Sequence, residues 1–151
     1  MSNYFPESTN FSEIDLSATK ITFVVSKFNE DIVSKLLDTA EKRLLEIGIN
    51  KKNINKLYVP GAFEIPFAVK KSINELNNQD AIICLGSIIR GETSHYELIS
   101  DHVFSSLASL NISSKIPIIN GILTTENIDQ AEKRIVNGKY YAETCIEMIA
   151  L

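Results

Sequence analysis

The sequence predicts a three-layer α/β domain: a four-stranded parallel sheet with helices on both faces. Two observations carry this. From residue 21 onward, apolar runs alternate with amphipathic helical patterns, the order that βαβ units generate. The apolar runs also lead into residues that start helices, and right-handed crossovers then leave few possible strand orders. At 151 residues the chain is most simply one domain, long enough to bury about two-thirds of its unfolded surface. No tandem repeat or low-complexity linker marks an internal boundary. The expected organisation is an irregular N-terminal arm over 1–20 and a single α/β domain over 21–151.

The elements follow in order. ITFVV (21–25) is a β-branched run. Asn29 is placed to cap the helix behind it, Glu30 and Asp31 suit its first turn, and Ile32, Leu36, Ala40, Leu44 and Ile47 share one face. Gly48 can close that helix. KLYV (56–59) is a short second strand. Pro66 sits where a first helical turn tolerates proline, and Phe67, Val69, Ile73 and Leu76 continue the pattern. AIICLG (81–86) is the third strand. Its helix is expected to begin near Ser94, because Ser94 and Glu97 spell a capping box. KIPIING (115–121) is the fourth strand, and one last helix is expected from about Asn127, whose spacing to Gln130 also suits a cap.

Composition narrows the function classes. A net charge of −4, with basic residues scattered among acidic ones, argues against nucleic acid, since phosphate neutralisation needs clustered Lys and Arg. No apolar stretch approaches a membrane span, and residues 1–20 do not read as a secretory signal. Cys84 and Cys145 offer neither a disulfide framework nor metal-ligand spacing. The expected setting is reduced and cytoplasmic.

In open α/β sheets, ligands bind beyond the carboxyl ends of the strands. Four segments therefore matter: SKFNE, PGAFEIP, GSIIRGETSH and NGILTTEN. Phe28 either covers a helix start or offers a flat face to a planar heterocycle. Two prolines stiffen the Gly-Ala-Phe-Glu turn, Ala62 permits close approach of a ligand, and Glu64 either accepts hydrogen bonds from a donor-rich ligand or simply complements a helix start. Gly91 permits a turn before the amides of Glu92, Thr93 and Ser94, which form a ready anion cradle at a helix N-terminus, with Arg90 nearby. His95 lies in the first turn of that helix, where the positive helix end favours a neutral base able to cycle protons near pH 7. Its plainer reading is a surface or capping residue. His102 lies two turns further on, about 10 Å away, too far to share a small metal site with His95. Arg134 reads either as a surface ion-pair partner or as a group reaching for phosphate.

Taken together, SKFN, VPGAFEIP, LGSIIRGETSHYE and NGILTTENIDQAEKR closely resemble the lumazine synthase family, from about residue 20 to the last residue given. The resemblance implies a flavodoxin-like fold and a transferase of riboflavin biosynthesis. Such an enzyme condenses 5-amino-6-(D-ribitylamino)uracil with 3,4-dihydroxy-2-butanone 4-phosphate to 6,7-dimethyl-8-ribityllumazine, releasing phosphate and water. It implies no metal and no organic cofactor. By position, Phe28 stacks on the pyrimidine, Ala62, Phe63 and Glu64 meet the ribityl chain, and Ser87, Ile88 and Ile89 hold the uracil edge. Glu92 and Thr93 match the phosphate cradle, Arg134 its cationic partner, and His95 the proton-transfer histidine.

Two residues depart from the family pattern. Asn120 stands where many members carry phenylalanine against the heterocycle. Glu92 stands where many carry a small residue, so its carboxylate is expected to face solvent while its N–H serves the ligand. The resemblance further implies homopentamers, in some members twelve of them forming a 60-subunit icosahedral shell, and association with riboflavin synthase. Sites then lie between subunits, with Asn120 and Arg134 serving a neighbour's Phe28 and His95. A non-catalytic flavin or lumazine binder is the competing reading, supported by Asn120 and opposed by the retained His95 and Arg134. A receiver domain is excluded by the missing acidic cluster after the first strand, and a dinucleotide enzyme by the missing G-x-G-x-x-G.

Overall fold

The computed structural model describes residues 9–76 and 78–151, so residues 1–8 of the expected arm lie outside the described residues. Four strands, β1 (Ile21–Ser26), β2 (Ile54–Val59), β3 (Ala81–Ile89) and β4 (Ile118–Thr125), form one parallel sheet in the order β2-β1-β3-β4. Between and after them run α1 (Glu30–Ile47), α2 (Ile65–Glu75), α3 (His95–Ser113), α4 (Ile128–Lys133) and α5 (Gly138–Ile149). The layering is the flavodoxin-like one expected from the sequence.

Strand side chains alternate between two cores because successive Cβ atoms point to opposite faces. Phe23, Val25, Ile83 and Leu85 meet Leu36, Ala40 and Leu44 of α1 and Ala142 and Ile146 of α5. Val24, Ile82, Cys84 and Ile122 meet Val69 of α2 and Val103 and Leu107 of α3. Residues 9–20 contain no helix or strand, yet Phe11 and Leu16 insert into the first core.

Several boundaries differ from expectation. β3 does not stop at Gly86 but runs on through Ser87, Ile88 and Ile89, which stay paired with Leu123, Thr124 and Thr125. β4 begins only after Pro117, whose carbonyl accepts the Ile82 N–H while Asn111 Oδ1 takes the Ile118 N–H. The last helix is two helices. A tight turn over Ile135–Asn137 separates α4 from α5, and Gly138 shows why the chain must redirect there. A Cβ on Gly138 would lie 2.6 Å from the Leu36 carbonyl oxygen, so α5 rests on α1 at a distance that a side chain would forbid.

Helix ends also sort out differently. Gly48, at φ 121°, closes α1 as expected by donating to the Leu44 and Leu45 carbonyls. Asn127 Oδ1 accepts the Gln130 N–H at 2.9 Å, the anticipated cap. Asn29, by contrast, makes no side-chain cap. No helix among the described residues is long and apolar enough to cross a membrane.

Candidate active site

Parallel pairing continues past the strand ends and ties the four junctions into one rim. Lys27 N donates to the Val59 carbonyl at 2.8 Å and Phe28 N to the Pro60 carbonyl at 3.1 Å, joining the first junction to the second. Asn29, in the left-handed conformation at φ 58°, turns its amide across to donate from Nδ2 to the Ser87 carbonyl at 2.8 Å, joining the first to the third. Arg90 N donates to the Thr125 carbonyl at 2.9 Å, joining the third to the fourth.

Within this rim lies a cleft of about 400 Å³. It brings together Phe28, Ala62, Phe63, Glu64, Ser87, Ile88, Ile89, Thr93 and His95, nine of the residues singled out in the sequence. Phe28 and Phe63 leave 69% and 50% of their surface in solvent, far more than a core role would allow, so two aromatic faces are free to meet a ligand. The Glu64 carboxylate folds back over the turn, since a Cβ on Gly61 would sit 3.1 Å from Oε2. Ser87 is 3% exposed, and its hydroxyl has no hydrogen-bond partner among the described residues. A buried hydroxyl left unpaired at a cleft wall is a place where a polar ligand recovers a lost bond.

Three expected site residues lie outside the cleft lining. Glu92 is exposed on the β3–α3 turn. Asn120 sits on the free edge of β4, paired in register with Cys84, three residues short of the Ser87 level and so about 10 Å down the strand. Its Oδ1 accepts the Ile122 N–H at 3.1 Å. Arg134 ends α4, and its Nη1 donates to the Gln130 carbonyl at 3.0 Å. The single chain thus holds the aromatic faces and the histidine together, but neither of these two side chains with them.

The start of α3 departs from the capping-box expectation. Ser94 makes no side-chain cap; instead Thr93 Oγ1 accepts the His95 N–H at 3.3 Å. Glu97 has a stronger partner. It ion-pairs with Arg90 Nη1, while Arg90 Nε meets Glu126 Oε2 at 2.6 Å and the guanidinium lies 4.4 Å over the Tyr96 ring. Hydrogen bonding to Arg90 holds Glu97 below the usual carboxylate range, and Glu97 and then Glu126 hold Arg90 above its ordinary value. With its charge spent on two carboxylates, Arg90 is not the free cation near the cradle that the sequence suggested.

Sequence reasoning missed Asn29, Tyr96 and Ile99 as cleft residues. The signal for Asn29 was available: asparagine is the side chain that most readily adopts a left-handed turn. Among the described residues, no three His, Cys, Asp or Glu side chains converge as a metal would require. Compared with known families, residues 18–151 match the one described as 6,7-dimethyl-8-ribityllumazine synthase.

Proposed function

The chain belongs to the 6,7-dimethyl-8-ribityllumazine synthase family, and we propose that its cleft carries out that family's condensation with the following division of labour. The enzyme is a transferase acting on two small molecules, the ribitylaminouracil and the butanone phosphate. One observation carries the assignment: a single cleft gathers Phe28, the Ala62–Glu64 turn, Ser87–Ile89, Thr93 and His95 from three strand ends.

Phe28 stacks on the pyrimidine. The Ser87 hydroxyl and the backbone of Ile88 and Ile89 hold the uracil edge, and Ala62, Phe63 and Glu64 take the ribityl chain. The amides at Glu92 and Thr93 receive the phosphate while the Glu92 carboxylate stays in solvent. His95 moves protons as the aryl amine attacks the ketone, the carbinolamine loses water and phosphate departs. Such acid–base help is worth roughly 10²–10⁴-fold, and holding two reactants in line up to about 7–11 kcal/mol. No metal or organic cofactor enters this scheme.

The active form is a homopentamer in which a neighbour's Arg134 and Asn120 complete each cleft. Supporting this, α3 buries only Val103 and Leu107 fully along its whole length, while Phe63, Phe67, Leu98 and Ile112 stay exposed. Apolar surface of this extent marks an interaction face. Assembly of twelve pentamers into a 60-subunit shell and association with riboflavin synthase are the further states to test by size. Residues 9–20 fasten to the 21–151 domain through Phe11 and Leu16, and the protein works in the cytoplasm.

The decisive experiment mixes the purified protein with both substrates and follows lumazine formation above the uncatalysed background. His95→Ala is expected to slow turnover by about 10²-fold or more without abolishing it. Arg134→Ala is expected chiefly to raise KM for the butanone phosphate. A wild-type protein that binds lumazine yet forms none overturns the reaction, and an unchanged rate in the histidine variant removes its role.

A further inference from the structure

The cleft's Phe63 is held by a residue that does not line the cleft. Its ring stacks on the imidazole of His102, centroids 4.7 Å apart and planes inclined at 22°. Phe63 belongs to a three-residue turn, Ala62–Glu64, and is half exposed. Among the described residues His102 is the aromatic group that covers a face of the Phe63 ring, from α3, two turns beyond His95.

Phe63 lines both the substrate cleft and a second, open hollow, where His102, Asp101 and Ser105 are found; His95 and Ile99 border both as well. One rigid helix therefore carries the proton-transfer histidine at its start and the support for the opposite cleft wall in its middle.

Resting on the condensation reading above, we propose that His102 is a positioning residue that acts through Phe63 to set the width of the ribityl subsite. A planar ring suits this place because one face can cover Phe63 while the polar nitrogens remain in water. Ordering the wall before the substrate arrives spares the bound complex that cost.

The test compares His102→Ala with His102→Phe in steady-state kinetics, varying each substrate in turn. Loss of one aromatic pair corresponds to about a 3- to 10-fold effect. His102→Ala is expected to raise KM for 5-amino-6-(D-ribitylamino)uracil by that factor, leaving KM for the butanone phosphate and kcat within about twofold. His102→Phe restores the wild-type KM. An unchanged uracil KM in the alanine variant, equal shifts for both substrates, or no rescue by phenylalanine overturns the proposal. An inactive wild type would instead overturn the reaction reading itself, so the two failures are distinct.

Discussion

Asn29 and Ser87 hold two strand ends at a fixed separation: the Asn29 Nδ2 donates to the Ser87 carbonyl at 2.8 Å, from a backbone at φ 58° and ψ 45°. Asparagine supplies both the left-handed turn and the reach. Asn29→Gly keeps the turn and loses the bond, at about 1 kcal/mol. Asn29→Ala loses the bond and adds left-handed strain of about 1–2 kcal/mol, which outweighs the chain-entropy cost of glycine. Urea unfolding should therefore rank wild type above glycine and glycine above alanine. Equal stabilities of the two variants would mean that the backbone conformation is not the constraint.

Arg90 clamps two junctions through Glu126 on one side and Glu97 on the other. All three side chains are substantially exposed, so each pair adds little stability. The clamp should act on geometry instead, because Tyr96 beneath the guanidinium lines the cleft. Arg90→Ala is expected to unfold close to wild type yet show a several-fold higher KM for the butanone phosphate. The Glu97 carboxyl is depressed in the folded protein. Its contribution is therefore complete above the unfolded value near 4.5 and is lost only as pH falls through the lower folded value. A titration of Glu97 followed by NMR in wild type and Arg90→Ala should show the carboxyl rising toward 4.5 in the variant.

Periodicity carried most of the fold, because buried strands and one-sided helices write their burial into the sequence directly. Ile32, Leu36, Ala40 and Leu44 are buried on one face of α1 as the spacing required. What local patterns could not show was competition from afar. Ser94 and Glu97 spell a capping box, but Arg90 draws the Glu97 carboxylate away, and the hydroxyl bonded to the helix start is that of Thr93, which accepts the His95 N–H. Asn29 has cap chemistry, yet the Ser87 carbonyl is its partner. The break at Arg134 goes with a close approach of Gly138 to Leu36, residues far apart in the chain. Asn120 and Arg134 stand away from the cleft, and the stack of Phe63 on His102 joins two elements that no spacing rule connects.

Arg43 and Glu143 tie α1 to α5, with Nε 2.7 Å from Oε1 and only 7% of the Glu143 side chain exposed. Removing the cation strands a buried carboxylate. Arg43→Ala should cost about 2–4 kcal/mol, toward the lower end of the range for buried pairs because the guanidinium keeps some solvent. The double variant Arg43→Met/Glu143→Leu should cost less than the single one, since no charge is left unpaired. Chemical denaturation of the three proteins checks the order, and a double variant weaker than Arg43→Ala would count against this account.

Burial shapes the alkaline limit of stability. Cys145 is fully enclosed between α5 and the sheet, and desolvation pushes its thiol up to about 12 from an ordinary 9.0. Cys84 is raised by the same cause, and burial also raises Tyr141. A raised folded value means that the contribution is fully present below the unfolded value and is lost as pH climbs through the folded one. Between about pH 9 and 12 the unfolded chain releases these protons while the native state retains them, so alkali favours unfolding. Urea midpoints should fall steadily across that window, and less steeply in Cys145→Ala. At pH 8 the native protein should leave both thiols unreactive toward a disulfide reagent, whereas the denatured chain should titrate two. Rapid labelling of the folded protein would mean that the α5 packing opens far more often than its burial implies.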